Sequence, residues 1–254
     1  MKSRLRLMLA SSSNFFGLNL MVFALLNLQP TESITLPLQS QTIFKISHLK
    51  SINKYRSRHL FTKRLYSSKK LTSKSQNFAE FLADHQILTK NIQHDPKLTQ
   101  NQGVVGENIF VDQVPKSNFG LKCDGEECEY VINKALHGKN LKSQTIKRYL
   151  YKLGKKAASN WYSGEREYNY HTTMCGKDRF NCEHFTALVW RGSRTCGLGL
   201  AYHEDREDPR FLVFYVVTRF SPRGNFVVKY HGESYEEASL RDYRLNVKRL
   251  VARG

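Results

Sequence analysis

NCEHFTALVWRG, residues 181–192, places one histidine, His184, directly ahead of an apolar run from Phe185 to Trp190. Outward from it, two downstream segments rich in Val and Phe read as strands. The upstream segments carry helical spacing together with His94 and Glu107. The expectation is a polar cavity, lined by His184, between the strands and the helices.

Downstream, Gly197 to His203 (GLGLAYH) alternates like a strand, and Phe211 to Phe220 (FLVFYVVTRF) is almost entirely β-branched or aromatic, which predicts a buried central strand. A turn at Pro222 and Gly224 leads to Phe226–Tyr230, whose spacing predicts an antiparallel hairpin with the central strand. Upstream, Phe44, His48, Ile52, Tyr55 and His59 recur at spacings of three and four, a helix whose other face is Lys45, Lys50, Lys54, Arg56 and Arg58. A second helix is expected from Ser73 to Asn91, with Phe78, Leu82, His85 and Leu88 on one face, ended before Asp95-Pro96. A third runs from Ser143 to Trp161, with Ile146, Leu150, Leu153 and Ala157 facing inward. Residues 111–143 show little periodicity, and the tail, 233–254, carries a possible helix from Glu236 to Leu250. Helices first and strands last predict an α+β fold, helices packed on an antiparallel sheet.

With 40% hydrophobic and 12% aromatic residues in 254, the chain is globular in composition and large enough for one domain plus an extra segment. Of the formal +18, residues 1–74 hold +12, with Glu32 as their one acid. Such asymmetry suits an anionic partner, a membrane surface or sulfated glycan met by the basic first helix; it equally suits a solvated cationic face. No nucleic-acid-binding motif accompanies the basic residues, so a nucleic-acid partner is not expected. Lys2, Arg4 and Arg6 precede an apolar run from Phe15 to Leu28, the order of a secretory signal peptide over residues 1–33, with 34–43 as a linker. That predicts a secreted protein, the alternative being a membrane anchor left uncleaved. Secretion makes disulfides expected, and Cys123/Cys128 and Cys175/Cys182 are local pairs that leave Cys196 over; neither spacing is that of a zinc finger.

Six pieces in order, NKYRSRH (53–59), FAEFLA (78–83), GENI (106–109), WYSGEREYNY (161–170), HFTALVWRGS (184–193) and FSPRGN (220–225), resemble the CAP superfamily of cysteine-rich secretory, antigen 5 and pathogenesis-related proteins. The Golgi-associated plant pathogenesis-related-like branch looks most similar. The resemblance implies a three-layer α-β-α sandwich over residues 44–232, interrupted by an insertion near 111–143. It implies a cavity tetrad of two histidines and two glutamates, carried over to His94, Glu107, Glu165 and His184. Glu165 stands one residue later than the family's glutamate, whose place is taken by Gly164; Ile52 and Glu183 also depart from the pattern. The family further implies a secreted effector or venom-allergen-like protein that binds lipid or sterol without catalysis.

Three chemistries are open to such a cluster. His94 and His184 could hold zinc or another divalent metal; the cluster could work as general acid and base in a metal-assisted hydrolase; or it could be a buried polar network, which requires no cofactor. Trp161, Tyr162, Tyr168 and Tyr170 crowd one loop and either cover an apolar ligand or pack as core.

Overall fold

The computed structural model describes residues 36, 38–85, 87, 92–100, 104–122 and 141–251. The expected signal peptide, Cys123, Cys128 and most of the expected insertion lie outside them. The elements are α1 (Leu38–Arg56), β1 (Tyr66–Ser67), α2 (Lys69–Asp84), β2 (Gly106–Pro115), α3 (Leu141–Ser163), β3 (Tyr168–Asn169), β4 (Met174–Cys175), α4 (Arg179–Val189), β5 (Thr195–Glu204), β6 (Phe211–Ser221) and α5 (Tyr235–Asn246).

The main sheet runs β1-β5-β6-β2. β6 is antiparallel to both β5 and β2, and the two-residue β1 adds a parallel edge to β5, so the sheet is mixed rather than wholly antiparallel. Side chains of β6 alternate between two cores, as a strand covered on both faces requires. Leu212, Phe214, Val216 and Phe220 join α1, α3 and α4 in the larger core; Val213, Tyr215 and Val217 join Phe78, Ala79, Leu82 and Ala83 of α2 in the smaller. That is an α-β-α sandwich. The glycines of GLGLAYH explain how closely α2 lies on β5: a Cβ at Gly197 would stand 2.1 Å from a Leu71 backbone atom, and one at Gly199 would stand 2.2 Å from Ser75 O.

Several expectations are corrected. Residues 38–43 open α1 instead of forming a linker, because Leu36, Ser40 and Gln41 are buried and Gln41 Nε2 donates to Leu36 O. Residues 111–115 are no insertion; they complete β2, in register with β6 from Gly106↔Phe220 to Pro115↔Phe211. Their alternation was hidden because β2 buries polar residues with partners: Asn108 Nδ2 donates to His184 O, and Asp112 accepts from Tyr149 and Lys156. Phe226–Tyr230 forms no strand, and the hairpin is β5–β6. Val228 N instead donates to Asp242 of α5, and Arg241 stacks on Tyr230. The second helix starts at Lys69, capped by Ser68, and its His85 is exposed rather than core-facing. The tail helix forms as α5, opened by a capping box of Ser234 and Glu237.

Candidate functional site

α4, the helix that carries His184, is fixed at both ends. At its start Asp178 accepts from Asn181 N, and the Cys175–Cys182 disulfide ties β4 to its first turn across a separation of 7 residues. At its end the fully buried Arg56 donates Nη1 to Leu188 O and Trp190 O, Nη2 to Ser193 O and Nε to Lys63 O. A guanidinium at a helix C-terminus satisfies open carbonyls and complements the dipole. Arg56, read from spacing as part of the solvated face, is therefore a structural clamp; burial holds it down to about 10, still charged at neutral pH.

His184 lies at the middle of α4, 6% exposed, beneath the Phe180 ring at 4.3 Å. Its Nδ1 has no hydrogen-bond partner among the described residues. Burial first, and the charge of His94 second, push its pKa down to about 4, so the ring is neutral at pH 7. It lines a cavity of about 330 Å³ with His94, Glu107, Glu183, Arg223 and Asn225. Three of the four expected tetrad residues thus meet.

The cavity sits at the start of edge strand β2, and its groups come from both layers. Glu107 is paired in register with Arg219 and shares its face, the one covered by α2. Arg219 Nε donates to Glu107 Oε2 at 2.9 Å and its Nη2 to Asp95 Oδ2 at 2.6 Å, while stacking over Phe78. Glu107 Oε1 is taken by His94 Nδ1 and by Asp95 N, each at 3.1 Å. Both carboxylate oxygens are committed to internal partners.

Glu165 does not reach this cavity. Its Oε1 accepts from Tyr170 OH at 3.2 Å, in a separate cluster where His59 Nε2 meets Tyr162 OH at 3.1 Å. Gly164, in the place where the resemblance puts a glutamate, has no room for one, since a Cβ there would stand 2.0 Å from Asn181 O. Glu183, immediately before His184, lines the cavity instead and is paired with Arg179. The aromatic quartet is largely core: Trp161 is fully buried with Nε1 donating to Ile109 O, Tyr168 is buried, and Tyr162 stacks on Tyr55 at 4.2 Å. Tyr170 borders a surface depression.

Sequence reasoning missed Arg219, Asp95 and Arg223. The signal for Arg219 was available: one cation in an otherwise apolar strand must find a buried counter-charge. The donor set argues against zinc or another divalent metal in a centre of three or four protein ligands. His94 and His184 supply two imidazoles, Glu107 is occupied, and among the described residues no group of three His, Cys, Asp or Glu could hold a metal ion. Among the described residues no thiol stands free beside His184, because Cys182 is in the disulfide; Cys196 is buried, its pKa pushed up to about 12 by burial.

The family model for the cysteine-rich secretory protein family (CAP) matches residues 49–220. The chain is 26% identical over 183 residues to Golgi-associated plant pathogenesis-related protein 1 of Homo sapiens, covering 70% of this chain and 82% of the relative. Among solved structures it is similar to venom allergen-like protein 4 of Schistosoma mansoni, at 15% identity and a TM-score of 0.40, covering 80% of this chain and 94% of that one. Na-ASP-1 is matched at 13% identity and a TM-score of 0.42, over 84% of this chain and 49% of that one. The chain belongs to the cysteine-rich secretory protein (CAP) family.

Proposed function

We propose that this is a secreted CAP protein that acts by binding rather than catalysis, with lipid or sterol as its ligand and a venom-allergen-like or effector role. The observation that carries the non-enzymatic reading is that both oxygens of Glu107 are already engaged. A general base needs a free carboxylate oxygen within reach of a substrate proton. Both oxygens of Glu107 are engaged by Arg219, His94 and Asp95, in an arrangement suited to holding β2, β6 and the 92–95 segment together. The competing reading, a metal-assisted hydrolase, draws on His184, whose neutral ring leaves Nδ1 open; among the described residues it has no third ligand. An extracellular protein partner and retention at a membrane are the remaining alternatives for partner and location.

The test is mass spectrometry of lipid that co-purifies with the full chain expressed through an oxidising secretory host. Retained lipid or sterol, unchanged by His184→Ala, is the expected result. Absence of lipid, with tightly held zinc lost on His184→Ala, would overturn the reading.

A further inference from the structure

The loop after α1 presents an exposed apolar pair at an unusual backbone angle. Phe61 is 76% exposed and has φ +56, a region that costs a bulky L-residue about 1–2 kcal/mol. Hydrogen bonds hold it there: Thr62 N donates to His59 O, and Leu60 N donates to Arg249 O. Val251 N donates to Arg58 O, so the C-terminal segment lies against the same loop and adds two exposed apolar side chains, Leu250 and Val251. Strained residues persist where the surroundings over-determine them, and an outward-facing Phe gains nothing from core packing for its strain.

The two segments that build this tip carry charge of one sign, and the nearest acid, Glu165, is engaged by Tyr170 OH. Residues 57–64 contain Arg58, Lys63 and Arg64, residues 244–251 contain Arg244, Lys248 and Arg249, and neither segment holds an acid. Leu60, Phe61, Tyr170, Arg244, Lys248 and Arg249 border one depression of about 440 Å³. Apolar tips surrounded by cations suit a bilayer interface: the apolar groups enter the acyl boundary while the cations meet acidic headgroups.

From this juxtaposition we infer that the Leu60–Phe61 loop and the Leu250–Val251 segment form a docking face for anionic lipid bilayers. The inference rests on the lipid-binding reading and gives it a place. It sits apart from the His184 cavity and is not the outer face of the first helix, where a basic partner surface was expected from the sequence. The occupant is a membrane rather than a sulfated glycan, because a glycan uses the cations and leaves Leu60, Phe61, Leu250 and Val251 without a role.

The test is sedimentation of the full chain with vesicles of phosphatidylcholine alone and of phosphatidylcholine containing phosphatidylserine. Binding to the second and not the first is expected, weakening as salt screens the cations. Phe61→Ala and the pair Lys63→Glu/Arg249→Glu should each weaken binding about tenfold or more. All these positions are exposed, so folding is preserved. Phe61→Trp should retain binding and shift its emission to shorter wavelength on anionic vesicles. Unaltered binding by Phe61→Ala overturns the docking face while lipid binding elsewhere stands. Lipid held by the purified chain without any vesicle binding does the same, and heparin binding indifferent to Phe61 in place of vesicle binding overturns it in favour of a glycan. Neither retained lipid nor vesicle binding overturns both readings.

Discussion

At the start of β2 the chain buries Arg219 and gives it two carboxylate partners, Glu107 and Asp95; at the Phe61 loop it leaves apolar groups in solvent among cations. Arg219 is 3% exposed between Glu107 and Asp95, whereas Leu60, Phe61, Leu250 and Val251 stand open. The first arrangement is one from which nothing can be removed cheaply. The second carries cost without contributing to packing. A cluster that resembles a catalytic constellation in the sequence is thus, by its partners, the better candidate for structure, and a loop that looks unremarkable in the sequence is the better candidate for recognition.

The contrast can be broken in order of expected effect. Glu107→Ala leaves Arg219 buried with half its counter-charge and should cost about 3–5 kcal/mol in urea unfolding, without weakening vesicle binding by the chain that remains folded. His48 is the pocket histidine's interior counterpart: fully buried, it meets Gly154 O through Nδ1 and Thr218 Oγ1 through Nε2. His48→Ala should cost about 3 kcal/mol, since both partners lose their hydrogen bond inside the core.

Acid should act on both rings. His48 and His184 are each pushed from 6.5 down to about 4, mainly by burial. Between those values the unfolded chain takes up protons that the folded one does not. Stability is therefore full above pH 6.5 and falls towards pH 4, by at most about 1.4 kcal/mol per pH unit and per ring. Urea midpoints across that window check the sign, and His184→Ala should remove one ring's share of the slope. A smaller loss, about 2 kcal/mol, is expected for Cys175→Ser, which opens a short disulfide loop. Smallest, and opposite in sign, Phe61→Gly should raise stability by about 1 kcal/mol by relieving the positive φ, while abolishing vesicle binding. Greater stability with less binding is the signature that separates the two regions.

Much of the frame was legible because apolar periodicity carried it. The inward stripe of α3 and the apolar run of β6 lie where their spacing puts them. Reading failed where a polar side chain was buried with a partner from a distant segment. Arg56 looks like one of five outward cations, yet caps α4, which lies more than a hundred residues away. Asn108 and Asp112 broke the alternation of β2 for the same reason, and the exposed Phe226 and Val228 gave a false strand signal. In the candidate site, His94, Glu107 and His184 were placed by motif, whereas Glu165 failed on a matter of space: α4 packs too close to Gly164 for the helix end to hold a side chain at the earlier position.

The division to be tested is that the Glu107–Arg219–Asp95 cluster beside the His184 cavity holds the fold together while recognition lies elsewhere. The most direct test is the anionic-vesicle binding isotherm of His184→Ala beside that of the parent chain. Superimposable curves are expected; a tenfold loss on His184→Ala, with Phe61→Ala binding normally, would overturn that division.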